Sequence, residues 1–207
     1  MAYPEKRLIL ASGSPRRREL LDKFALPYEV IPAAGEEAAP DGLAPGELVM
    51  LLAANKAAEV AERAGGGAVV IAADTVVEVD GQVLGKPGTE EKAREMLAAL
   101  SGREHRVWTG VCVREGERIL TRNECTAVHF RALTMAEIDA YAATGEPLDK
   151  AGAYGYQGLA CLFVDRIEGD YFNVVGLPVC TLGLMLREFG IELLSPRPHD
   201  ESEDKRL

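Results

Sequence analysis

Residues 7–21 read RLILASGSPRRRELL, and this stretch sets the fold class. The apolar run at 7–11 has the length and composition of a short buried strand. Ser14 followed by Pro15 is an N-cap and first helical residue, with Leu20, Leu21 and Phe24 as the buried face behind them. A strand turning directly into a helix opens an α/β unit. The same stretch carries an anomaly. Arg16, Arg17 and Arg18 fall in the first helical turn, at the positive end of the macrodipole, where each cation costs from tenths to about 1 kcal/mol. The Ser/Gly turn and helix start expose N–H groups that suit an anion, and a polyanion lying between them and the arginines would remove the repulsion. On this reading Ser12, Ser14, Arg16 and Arg17 form a triphosphate cradle; a solvated basic helix face is the alternative that these residues alone leave open. The GxxxxGK[ST] pattern is absent, so P-loop chemistry is not implied.

Outward from this stretch, helices and strands alternate. A second strand is predicted at 28–32, then an acidic loop, AAGEEAAPDG (33–42). A helix over 45–63 follows, with Leu48, Leu51, Leu52 and Ala58 on one face, ended by Gly65-Gly66-Gly67. AVVIAA (68–73) is a fully buried strand by composition, and Asp74 stands at its C-terminal end. VVEVDGQVLGKP (76–87) is a hairpin about Asp80-Gly81, a type I′ pair. Thr89 caps a helix ending near residue 100, and RVWTGVCVRE and ILTRNECTAVHF are strands turned at Gly116. Thr134 and Glu137 make a capping box for a helix to 144. A Gly-rich polar segment, GEPLDKAGAYGYQG (145–158), precedes a predicted strand pair, LACLFVDRI and DYFNVVG, and Pro178 opens a last helix. With no repeat and no long linker, residues 1–194 read as a single domain, a mixed sheet covered by helices. SPRPHDESEDKRL (195–207) is a charged tail expected to be disordered.

The composition of the 207 residues, 47% apolar and 27% charged, suits a globular enzyme. No apolar run approaches the ~18 residues of a membrane span, and the apolar stretch near the N-terminus is too short for a signal peptide. The formal net charge of −10 disfavours nucleic acid and anionic membranes, so an anionic substrate must be held by a local basic cluster. Cys112, Cys125, Cys161 and Cys180 form no CxxC pair and read as reduced core residues, which makes the cytoplasm the expected compartment. His105, His129 and His199 are too scattered for a zinc site.

Asp74 is the second singular residue: a carboxylate at the end of a buried strand sits where α/β sheets hold ligands. Glu36 and Glu37 follow a neighbouring strand, and carboxylates beside phosphate imply Mg²⁺ or Mn²⁺, since hard divalent ions prefer oxygen. Lys56, Lys86 and Lys150 each read singly as solvated lysines; as a set they are cations that an acidic chain could gather round a triphosphate.

Taken together, ASGSPRRRELL, NKA, AADTVV, GQVLGKP, LSGREHRVWTGV, EPLDKAGAYGYQG and IEGDYFNVVGLP resemble, in this order, the Maf-family nucleoside triphosphate pyrophosphatases, over nearly the whole chain outside the tail. The resemblance implies an elongated mixed sheet flanked by helices, like that of inosine triphosphate pyrophosphatases, in two lobes with a central cleft that holds the nucleotide. It implies metal-dependent hydrolysis between the α- and β-phosphates. It makes Asp74 the catalytic carboxylate, and Ser14, Arg16, Arg17, Lys56, Lys86, Asp149 and Lys150 site residues. Glu37 lies where the family has a further functional carboxylate, a metal ligand with Asp74, although Glu36 remains its competitor. The branch acting on dTTP and UTP carries SPRR, ADT and DKAGAYGxQG, as this chain does, whereas the branch acting on 7-methyl-GTP differs at those places. Arg16, Thr75 and Gln157 are thus the implied specificity positions. A glutamine amide suits the donor–acceptor edge of uracil or thymine, and Tyr154 and Tyr156 are candidates to stack on the base. The implied partner is the nucleoside triphosphate, and a homodimer is compatible with the resemblance. Two other functions stay open at this level: a nucleotidyltransferase, and a nucleotide-binding regulator of cell division without turnover.

Overall fold

The computed structural model describes residues 6–24, 26–35, 39–40 and 42–194. Its elements are β1 (Arg7–Leu10), α1 (Pro15–Leu21), β2 (Glu29–Val30), α2 (Pro45–Ala64), β3 (Ala68–Val79), β4 (Gln82–Leu84), α3 (Glu90–Leu100), β5 (Glu104–Glu115), β6 (Arg118–Phe130), α4 (Met135–Ala142), β7 (Val164–Glu168), α5 (Tyr171–Val175) and α6 (Val179–Glu188). Short 3₁₀ turns at Glu146–Asp149, Ala151–Ala153 and Leu159–Leu162 fill the Gly-rich segment and its continuation. The strands make one sheet in the order β2-β1-β3-β5-β6-β7, with β4 also on β3. β1 runs parallel to β2 and β3, and the other pairs are antiparallel. The parallel pairs need the crossovers that α1 and α2 supply, and the antiparallel ones close through short turns. The β3–β4 turn has both central residues at positive φ, Asp80 at 52° and Gly81 at 76°, as a type I′ turn requires.

The long strands carry two lobes. At one end Val69, Ile71 and Ala73 pack with Leu20, Leu21, Leu182 and Met185 beneath α1 and α6. The opposite face there puts Val70 and Ala72 against Ala53, Ala57 and Val60 of α2. Farther along, Val77, Val79 and Val107 join Leu97, Leu100, Ile138 and Tyr141 of α3 and α4 in a separate core. Between the lobes one edge of β3 is bare. β1 pairs with residues 68–71 and β4 with 77–79, so among the described residues 72–76 have no strand neighbour on that side. That gap is the floor of the cleft.

Several expectations are corrected. Asp74 does not end a strand: β5 pairs with β3 from Val69 to Glu78, which holds Asp74 in mid-strand opposite Gly110. DYFNVVG is helical, because the Asp170 carboxylate accepts the Phe172 N–H (2.8 Å) at one end and Gly176 closes the other at φ 112°. The strand expected at 28–32 is only Glu29–Val30, and LACL is a 3₁₀ turn. α2 buries Gly46, Val49, Leu52, Ala53, Ala57 and Val60, leaving Leu48, Leu51 and Ala58 half-buried. The helix lies close against β5, where a Cβ on Gly110 would stand 2.3 Å from the Val49 carbonyl carbon. Only Cys112 is a core cysteine; Cys125, Cys161 and Cys180 are exposed thiols. The tail at 195–207 lies outside the described residues.

Candidate active site

A cleft of about 630 Å³ opens over the bare edge of β3, and Ser14, Arg16, Arg17, Lys56, Asp74, Thr75, Lys86, Asp149, Lys150 and Gln157 all line it. These residues come from both lobes and from segments more than 140 positions apart in the chain. Glu36 and Glu37 lie outside the described residues. Alternation along β3 splits its two polar cleft residues between the faces of the sheet. Asp74, 7% exposed, points to the face covered by α2 and forms an ion pair with Lys56 of that helix. Thr75 points to the other face, where its hydroxyl meets the Thr109 hydroxyl at 2.9 Å. Thr109 in turn donates to the Asn173 carbonyl (3.0 Å), and the Asn173 amide donates to the Val107 carbonyl and the Thr126 hydroxyl. This buried polar chain fixes α5 under the cleft; its only sequence signal is one asparagine in an apolar run.

The three arginines separate. Arg18 is exposed on the outer side of α1. Arg17 crosses to the bare edge of β3, donating to the Ala73 carbonyl (2.8 Å), the Thr75 hydroxyl (3.1 Å), the Gly176 carbonyl (2.8 Å) and the Ser12 hydroxyl (3.3 Å). It thereby satisfies a strand carbonyl that has lost its ladder partner, on either side of Asp74 in sequence. Arg16 lines the cleft and has no hydrogen-bond partner among the described residues. The Ser14 hydroxyl does not cap α1, while its N–H donates to the Ser12 hydroxyl (3.2 Å).

On the far wall, Lys86 is exposed just beyond β4. Lys150 donates to the Asp149 carboxylate (2.8 Å) and to the Glu146 carbonyl (2.5 Å). That hydrogen bond holds the Asp149 carboxyl below the ordinary aspartate range, with a smaller contribution from the charge of Arg16. Tyr154, expected as a stacking candidate, is buried. Its hydroxyl meets Nε2 of His105 at 2.8 Å and its ring packs edge-on against Phe130. Burial lowers the His105 pKa to about 4, so the imidazole is neutral. Tyr156 is half-buried at the cleft, edge-on to Tyr171, and Gln157 is exposed.

For a divalent ion the described residues offer one buried carboxylate facing the cleft, Asp74, and no group of three or more metal-binding side chains. That donor set fits Mg²⁺ or Mn²⁺, which take one or two carboxylates and complete their shell with substrate phosphates and water.

The fold and cleft define a two-lobed α/β protein with a cation-lined cleft: among the described residues, five cationic side chains and two carboxylates line one cleft of a chain with net charge −10. The chain belongs to the Maf-like protein family, whose model matches residues 7–189. It is 46% identical over 188 residues to a dTTP/UTP pyrophosphatase of Bacillus cereus (strain G9842), covering 91% of this chain and 98% of the relative. It is 47% identical to the dTTP/UTP pyrophosphatase of Bacillus thuringiensis subsp. konkukian (strain 97-27), with the same coverage. Among solved structures it is similar in part to the Staphylococcus aureus Ham1 protein, at 16% identity and a TM-score of 0.45, over 60% of this chain and 72% of the other.

Proposed function

We propose that this protein hydrolyses nucleoside triphosphates, dTTP and UTP first among them, to the monophosphate and pyrophosphate. The observation that carries the reading is the set of five cations drawn from both lobes around Asp74 in an otherwise acidic chain. Charge of that sign and density suits a triphosphate, and the near full-length relatives named dTTP/UTP pyrophosphatases support the substrate class.

In this reading Lys56, Lys86, Lys150 and Arg16 hold the phosphates and stabilise charge as it builds on the departing pyrophosphate. Asp74 would hold a divalent Mg²⁺ or Mn²⁺, with Glu37 the second carboxylate that the family resemblance implies, and orients the water that attacks the α-phosphorus. That ion supplies charge neutralisation and Lewis acidity when bound. The α-phosphorus gains the water oxygen and loses the bridging oxygen, which leaves with pyrophosphate, while one water proton is released. Lys56, already paired with Asp74, keeps that carboxylate aimed. Arg16, Thr75 and Gln157 discriminate the base. The reaction belongs to the cytoplasm, the compartment that unpaired cysteines suit.

The test is a panel of nucleotides incubated with Mg²⁺ or Mn²⁺ and the products identified. Monophosphate and pyrophosphate from dTTP and UTP are expected, with turnover abolished by EDTA. Diphosphate and orthophosphate as main products would overturn the bond assignment, and full activity in chelator would remove the metal.

A further inference from the structure

We propose that Glu146, which does not line the cleft, is a positioning residue for base selection: its carboxylate clamps the loop that carries Gln157. The proposal rests on the reading above in which Gln157 contacts the base.

Glu146 opens the 3₁₀ turn Glu146–Asp149 and uses separate groups for two tasks. Its main-chain carbonyl accepts the Lys150 ammonium (2.5 Å), fixing a cleft cation. Its carboxylate faces the next loop, where Oε1 accepts the Tyr141 O–H (2.9 Å) and Oε2 accepts the Leu159 N–H (3.2 Å). The Tyr141 oxygen also accepts the Gly155 N–H (3.3 Å), so one carboxylate holds both ends of residues 155–159, directly and through a tyrosine. Burial and the bond to Glu146 push the Tyr141 pKa well up, which keeps its hydroxyl a donor. A turn from the Gly158 N–H to the Gly155 carbonyl (3.0 Å) closes the loop, with Tyr156 and Gln157 at its tip in the cleft wall.

Two glycines make the clamp close-fitting. A Cβ on Gly155 would stand 2.7 Å from the Lys150 side chain, and one on Gly158 would stand 2.1 Å from the Glu146 carboxylate. The phosphate-side lysine and the clamping carboxylate therefore pack on bare backbone at either end of the loop. Truncating the Glu146 side chain leaves the carbonyl that holds Lys150 and removes only the clamp. The expected defect is in choosing the base, not in hydrolysing the phosphate.

The experiment measures kcat/KM for dTTP, UTP and ATP in wild type, Glu146→Ala, Glu146→Gln, Tyr141→Phe, Gln157→Ala and the Glu146→Ala/Gln157→Ala double variant, with hydrogen exchange at residues 155–159. Glu146→Ala is expected to lower the pyrimidine-to-ATP ratio about tenfold or more, mainly through KM. ATP turnover should stay within about threefold and exchange protection at 155–159 should fall. Glu146→Gln should recover much of the ratio, Tyr141→Phe should lose part of it, and the double variant should fall no further than Gln157→Ala. An unchanged ratio or unchanged protection in Glu146→Ala overturns the proposal, as do losses in equal proportion on all three nucleotides. If Gln157→Ala leaves the ratio intact, the base reading at Gln157 fails, whereas a collapse there without one in Glu146→Ala overturns only the clamp. A wild type with no pyrimidine preference overturns both.

Discussion

Gly110→Ala tests how the cleft is held open at its floor. Gly110 pairs with Asp74 across the β3–β5 ladder, and α2 crosses the sheet at that point. A methyl group there would stand 2.3 Å from the carbonyl carbon and oxygen of Val49 and 2.6 Å from the Met50 nitrogen. Carbon atoms pack at about 3.5 Å or more, so the helix would have to retreat by roughly 1 Å, and the obstruction is backbone that no rotamer change relieves. Overpacking of this kind costs about 1–3 kcal/mol, and a backbone clash belongs at the top of that range. For a domain of this size about 3 kcal/mol corresponds to a fall in Tm of roughly 6–12 °C. Lys56 lies about two turns farther along α2 and pairs with Asp74. A shift of about 1 Å in a group that positions the reaction can cost up to about a hundredfold in rate. Thermal unfolding and pyrophosphate release from dTTP measure the two effects, with Gly66→Ala as control, since its methyl group meets nothing within 4 Å. The reasoning fails if Gly110→Ala melts within about 2 °C of wild type. Lost stability with kcat/KM within about twofold of wild type would instead break the link from α2 to Lys56.

Asp74→Asn keeps size and loses charge, and should lower kcat at least about a hundredfold, roughly 3 kcal/mol of barrier, in a protein whose circular dichroism matches wild type; near wild-type kcat would make Asp74 structural. His105 has a folded pKa of about 4 against an ordinary 6.5, so between those values the unfolded chain binds a proton that the folded one excludes. Stability should therefore rise with pH across that window and be lost as pH falls from 6.5 to 4, by about 3 kcal/mol. Urea unfolding of wild type and His105→Gln should diverge across it, and a difference between them that is independent of pH would refute the assignment.

Much of the local chemistry was legible in the sequence, although the Asp170 cap and Gly176 stop that make DYFNVVG a helix were not read from it. The Ser14–Pro15 helix start, the Asp80-Gly81 turn and the Thr134–Glu137 box each depend on a few neighbouring residues, and each stands where the sequence puts it. The mixed sheet followed from the alternation of elements, and the set of cleft residues from motifs spread along the chain. Tertiary structure decided what long-range partners decide. Asp74 stays in mid-strand because β5 runs past it, and it reaches the cleft because β1 stops before it and β4 starts after it, while α2 covers its side chain and supplies Lys56. α2 buries Val49, Ala53, Ala57 and Val60 ahead of Leu48 and Leu51 because its backbone is seated on β5 at Gly110. Three consecutive arginines look alike in sequence, yet two line the cleft, of which one also satisfies the bare edge of β3, and the third is exposed. A helix turns successive side chains by about 100°, so their division of labour exists only once the sheet and the second lobe stand beside that helix.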